Sequence, residues 1–292
     1  MQSTDFPVTD SAEGPYGVAL GGRPGEVWTT LVHAGVVARR DADGKVERFG
    51  LDAPGSRPSV IVPGPDGAVW FTRNGDDRIG RIGADGVVSA VELGAGTAPY
   101  GLCVGPDGAL WTTLMNTDQV GRVSVDGAVT TFEIGTTGGF PSMITAGDDG
   151  LWFPLNQGNS IARMSVDGKV QLYPLPTPAA GPVGISAAPG GAWFTELMAG
   201  QLGRIDADGK IEEFPLPDRE SKPHAVVTSP DGGCWVTLWG SASVIRLDAE
   251  GAVVEEVAFG EGSEPHGLAL TPDGEVWVAL ETGVLAHIHA GE

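Results

Sequence analysis

Cysteine is nearly absent from this chain: there are two residues, Cys103 and Cys234, in 292. They fall at different positions of the repeat described below, so no disulfide is expected, and two buried thiols suit a reducing compartment. Basic residues are also scarce. Seventeen Lys and Arg face 38 Asp and Glu, a net charge of −21. Such a surface repels nucleic acid and anionic membranes, which excludes both as partners. No apolar run approaches roughly eighteen residues, so no spanning helix is expected. The first ten residues, MQSTDFPVTD, hold neither a basic nor an apolar segment and do not read as a secretory signal, so the expected location is cytoplasmic. Long helices are disfavoured too, because 46 Gly and 22 Pro punctuate the chain with turns.

What is present is periodic. Trp28, Trp70, Trp111, Trp152, Trp193, Trp235 and Trp277 follow one another at spacings of 42, 41, 41, 41, 42 and 42, and the eighth tryptophan, Trp239, stands outside the series. A proline keeps the same beat at Pro15, Pro58, Pro99, Pro141, Pro182, Pro223 and Pro265. Between proline and tryptophan lies a turn, PDG at Pro65, Pro106, Pro230 and Pro272. A later DG turn recurs at Asp43, Asp85, Asp126, Asp167 and Asp208. The segments between these markers are short and alternate apolar with polar residues, as half-buried strands do. Four strands in a repeat of this length make one blade of a propeller. The chain is therefore expected to be all-β, a seven-bladed β-propeller forming one domain over residues 1–292, and able to work as a monomer.

The ends support a closed ring. The seventh copy stops at His289-Ala290-Gly291-Glu292, where its fourth strand is due, and Phe6-Pro7-Val8 matches the fourth-strand pattern Phe214-Pro215-Leu216. The N-terminal strand is expected to complete the last blade, which removes exposed sheet edges.

Within each blade the proline opens the innermost strand and the tryptophan strand returns beside it. The residues flanking the proline and those following the tryptophan strand should thus meet at one rim of the central channel. The position after the proline holds Tyr16, Ser59, Tyr100, Ser142, Val183, His224 and His266. The position before it carries a carboxylate only in blade seven, at Glu264, and so does the position four past the tryptophan, at Glu281. Trp239 lies one blade away at that level. Two carboxylates and a histidine at one rim suit a hard divalent cation beside a general base. Hydrated polar channel residues are the alternative reading of Glu264, Glu281, His224 and His266. His33 faces the same rim without a visible partner and reads as a surface residue. His287 takes the place of the third-strand arginine, as in Arg204, and with His289 reads as structural or solvent-facing.

On these segments, SKPHAV and GSEPHGLALTPDGEVWVALE, and on its repeat length and blade count, the chain resembles the virginiamycin B lyases, also called streptogramin B lyases. The resemblance runs along essentially the whole chain. It implies a lyase that opens the macrocycle of type B streptogramins by elimination at the threonyl ester, a small cyclic depsipeptide substrate, and Mg2+ as cofactor. By the same resemblance His266 is the general base, Glu264 and Glu281 bind the metal, Tyr16 and Trp239 contact substrate, and His224 is a site histidine, which we expect to orient substrate or donate a proton to the leaving group. Two rivals stand beside this reading: a metal-dependent lactonase on a related propeller, which adds water to the ester, and a non-catalytic propeller that binds a peptide or protein.

Overall fold

A computed structural model describes residues 1–148 and 150–290, without the side chain of Ser11. Twenty-eight strands form seven four-stranded antiparallel sheets. Six of these sheets are runs of four consecutive strands; blade one, for example, takes Pro15–Leu20, Val27–Leu31, Val36–Arg40 and Val46–Gly50. In the seventh, strands Pro265–Leu270, Val276–Leu280 and Val284–His289 are joined by the N-terminal strand Gln2–Pro7. Gln2 pairs with His289 and Pro7 with Val284, so the ring closes as the sequence predicts. The described residues contain no α-helix, only short 3-10 turns at Ser11–Glu13 and Pro54–Ser56, and no helix long and apolar enough to cross a membrane.

The core lies between blades. Each apolar cluster draws on two neighbouring sheets: Trp111 and Val120 of blade three pack with Ile144, Leu151 and Phe153 of blade four, and Trp277 of blade seven with Val18 and Val27 of blade one. The repeated tryptophans are the centres of these interfaces. Trp70, Trp111, Trp152, Trp193 and Trp235 are at most 1% exposed, and burying such a ring removes one of the largest apolar surfaces a side chain has.

The polar markers of the repeat have structural work of their own. Asp66 of the PDG turn accepts the indole N–H of Trp70 at 3.0 Å and pairs with Arg81 at 2.8 Å; Asp107, Trp111 and Arg122 repeat this. Third-strand arginines lie over the indoles, as Arg39 does over Trp28 and Arg204 over Trp193 at 5.3 Å, an attraction between a cation and the ring face. His287 replaces that arginine in blade seven. It stacks on Trp277 at 4.3 Å and sits 2.8 Å from Glu275, the structural role expected of it. Cys234 is buried, Cys103 half-buried, and both are free.

Candidate active site

The mouth is built from the start of the inner strands. The residue before the proline adopts a left-handed backbone in all seven blades, from φ +39° at Glu264 to +63° at Gly181. That bend turns the chain into the channel and sets its side chain on the rim. In six blades the N–H four residues past the tryptophan donates to the carbonyl of this residue, as from Trp239 to Lys222 at 3.1 Å. Blade seven differs. Its turn after the second strand spans three residues, 281–283, where the others have four. Glu281 therefore donates its N–H to Ser263 instead, at 2.8 Å, and the shorter turn draws its carboxylate toward His266.

The residue after the proline is fixed from the blade before it. Thr195 accepts the Gly184 N–H at 2.8 Å and donates to the carbonyl of His224 at 2.9 Å. Thr237 accepts the Ala225 N–H and donates to the carbonyl of His266, both at 2.9 Å. Thr30 and Thr72 do the same for Ser59 and Tyr100. These hydroxyls are buried, so each clamp satisfies a backbone donor and a backbone acceptor that would otherwise be costly.

The side chains then converge. His266, 9% exposed, meets Tyr16 at 4.6 Å between ring centroids, His224 at 5.5 Å and Trp239 at 6.2 Å. Its Nε2 is 2.9 Å from Oε2 of Glu281. A carboxylate only accepts, so His266 donates from Nε2. Hydrogen bonding from His266, and then from His33, holds the Glu281 carboxyl below the usual carboxylate range. Beneath this pair the hydroxyls of Tyr16 and Tyr100 meet across the channel at 2.6 Å, each 3.4 Å from Nε2 of His224. Burial above all raises both phenols, so both stay protonated. Burial, then the charge of His266, pushes the His224 imidazole down to about 3, so it is neutral. The Nδ1 atoms of His224 and His266 are buried with no hydrogen-bond partner among the described residues. Below the polar floor lies a cavity of about 340 Å3 with apolar walls that include Val60, Leu102, Met143 and Leu268.

Five of the six side chains singled out from sequence, Tyr16, His224, Trp239, His266 and Glu281, meet at this mouth, and the sixth, Glu264, stands two residues before His266. Trp239 is 39% exposed beside His266, and Glu264 is half-buried on its strained backbone. Two further residues join them. Tyr100 shares the repeat position of Tyr16, which was the signal for it. His33 corrects the expectation that it has no partner: its Nε2 is 2.7 Å from Oε1 of Glu281. Its own segment carries no sign of this, because the partner comes from the other end of the chain.

No group of three or more His, Cys, Asp and Glu among the described residues is arranged to hold a metal ion. Magnesium does not need one, since it keeps several waters and takes one or two carboxylates. Among the described residues the Glu264 carboxylate makes no hydrogen bond or ion pair, whereas both oxygens of Glu281 meet imidazoles. Two carboxylates on one hairpin are a donor set of the kind a hydrated hard cation takes.

A closed seven-bladed propeller with an imidazole–carboxylate pair at one mouth and an exposed tryptophan beside it defines the class: a β-propeller whose polar side chains converge at one end of its channel. Comparison with known proteins narrows this class. The description of the virginiamycin B lyase family matches residues 1–288, and the chain belongs to that family. A virginiamycin B lyase of Nocardia farcinica is 46% identical over 95 residues, 32% of this chain and 32% of that protein, so the alignment spans about a third of that curated relative. Over the full length, a streptogramin B lyase structure superposes with a TM-score of 0.94 at 33% identity, covering 99% of this chain and 98% of the other. A catalytically inactive virginiamycin B lyase of Staphylococcus aureus with quinupristin gives 0.93 at 33% identity, with 99% of each chain covered.

Proposed function

We propose that the protein is a carbon–oxygen lyase that linearises type B streptogramins by elimination at the threonyl ester, and so confers resistance to them. The observation that carries this reading is the His266–Glu281 contact, set at the mouth beside two tyrosines and an exposed tryptophan. The threonine α-proton, acidified by its neighbouring carbonyl, is the proton to be removed. Nδ1 of His266, which has no partner among the described residues while Nε2–H bonds Glu281, accepts it, and Glu281 on Nε2 steadies the imidazolium that results, as a carboxylate does behind other histidine bases. The β-oxygen then leaves as part of a carboxylate, a weak base that needs no proton. His224, neutral and joined to the two tyrosine hydroxyls, therefore serves to orient substrate rather than to act as an acid. Trp239 and Tyr16 offer ring faces to the apolar macrocycle. Mg2+, held by Glu264 with Glu281 near it, would supply Lewis acidity toward negative charge on the carbonyl oxygen.

The test is incubation with a type B streptogramin and Mg2+, read by mass spectrometry. Elimination gives a linear product of unchanged mass bearing a dehydrated threonine. A product heavier by one water would convert the reading to the lactonase, and an intact macrocycle would reject it. Exhaustive chelation is expected to stop turnover and added Mg2+ to restore it. The same reading has the protein acting as a cytoplasmic monomer, checked by sedimentation and cell fractionation.

A further inference from the structure

Glu281 is gripped by two imidazoles, and the chemistry above uses only one. We propose that His33, from blade one, is a positioning residue: it holds Oε1 of Glu281 so that Oε2 is presented to His266. The proposal rests on the lyase reading for its kinetic consequence and on the seam between blades seven and one for its geometry.

A carboxylate held by a single hydrogen bond can swing about its last torsions. Donors at 2.7 Å on Oε1 and 2.9 Å on Oε2 fix its plane, as outer partners fix the groups that do chemistry. His33 is itself tethered, because its backbone N–H donates to the Glu13 carbonyl at 3.1 Å. Stability does not account for the contact. The His33 side chain is 52% exposed, and pairs so exposed contribute little to folding. The seam is already closed by the pairing of Gln2–Pro7 with Val284–His289 and by the cluster around Trp277.

Gly14 provides an independent sign. It is the residue before the proline in blade one, at φ +60°. That backbone does not require glycine, since Arg57, Ala98, Phe140, Lys222 and Glu264 adopt it at the same repeat position. The space beside it is taken by side chains. A Cβ on Gly14 would stand 2.6 Å from Cδ2 and 2.9 Å from Nε2 of His33, and 3.0 Å from Oε1 of Glu281. The bond between His33 and Glu281 fills the place a side chain would take.

The experiment compares wild-type protein with His33→Ala, His33→Gln and Gly14→Ala, by steady-state kinetics on a type B streptogramin and by thermal melting. His33→Ala is expected to lower kcat about 10- to 100-fold with KM within about twofold, the pattern of an interaction that matters in the transition state. His33→Gln, whose amide N–H donates to the same oxygen, should recover most of that loss. Gly14→Ala should reproduce the defect with His33 still present. Melting temperatures of both His33 variants should stay within about 2 °C, whereas Gly14→Ala also carries the cost of a Cβ on a left-handed backbone and is read by its kcat alone. Wild-type kcat in His33→Ala, a glutamine no better than alanine, or a rate loss in a His33 variant that follows a drop in its melting temperature overturns the proposal. A wild-type protein that leaves the macrocycle intact rejects the lyase reading alone. Crystal structures of wild type and His33→Ala then decide the positioning: an unmoved Glu281 in the variant overturns it, and a displaced carboxylate supports it.

Discussion

Blades three and seven begin from one plan. In blade three Tyr100 follows the strand-opening proline, Thr113 bonds the carbonyl of Ser142 in the next blade, and Met115 donates its N–H to the left-handed Ala98 at 3.3 Å. In blade seven the corresponding residues are His266, Ala279, Glu281 and Glu264. The turn is one residue shorter, and the N–H of Glu281 shifts to Ser263. The buried face is conserved through all of this: Val276 and Val278 are fully buried, and Trp277 is 6% exposed. Blade interfaces and mouth positions are thus separable. A blade keeps its tryptophan-centred core, into which Ala279 packs in place of the threonine clamp, and makes its polar changes at the mouth.

The largest expected effect breaks this comparison at its centre. His266→Ala should cost roughly 10²- to 10⁴-fold in turnover, the usual worth of a positioned base, with the circular dichroism spectrum unchanged. Ser59→Ala, at the same repeat position in blade two, should leave the rate alone. Undiminished turnover in the His266 variant would remove the base from the mechanism.

The threonine clamps sharpen the comparison. Thr113→Val and Thr237→Val each strand a buried backbone donor and acceptor, and each should cost about 1–3 kcal/mol in urea denaturation. Only Thr237→Val should also slow turnover, because the carbonyl it releases belongs to His266. Equal kinetic effects from the two would mean that general loosening, rather than the placement of His266, sets the rate.

The ring was legible because seven copies report the same strands. Closure was legible because a fourth strand missing at one end appears as Phe6-Pro7-Val8 at the other. The six candidate site residues could be read as departures from a repeat, which fixes height on the channel and order around it. Distances across the channel could not be read. Tyr16 and Tyr100 come from blades one and three and meet at 2.6 Å, a matter of side-chain reach and bore width. The partner of His33, though not its place on the surface, was hidden for a related reason. Its partner is 248 positions away and reaches it because a shortened turn re-aims Glu281, and no repeat average records that shift.

The neutral His224 gives a prediction in pH. Its folded-state value of about 3 lies below the ordinary histidine value of 6.5, so the unfolded chain binds the proton more readily. The stability that His224 contributes is therefore complete above about pH 6.5 and is lost as pH falls toward 3, by up to about 1.4 kcal/mol per unit. Denaturation curves at pH 7 and pH 5 should show this loss, and His224→Gln should flatten it. An unchanged slope in that variant would assign the acid sensitivity to other groups.

The smallest effect concerns backbone strain and returns to the same two blades. Ala98 and Glu264 both hold a left-handed conformation, at φ +47° and +39°, which costs a residue with a Cβ about 1–2 kcal/mol relative to glycine. Glycine gives part of that back through its freer unfolded chain. Ala98→Gly and Glu264→Gly should therefore each raise stability by about 1 kcal/mol or less, measured as a higher urea midpoint with unchanged slope. They should part company in turnover, which Ala98→Gly leaves intact and Glu264→Gly lowers by removing the carboxylate proposed to hold Mg2+. The strain is common to the repeat, so in blade seven the side chain, and not the bend that carries it, is what the chemistry uses. Full activity in Glu264→Gly would dissolve that distinction and leave Glu281 as the sole carboxylate of the site.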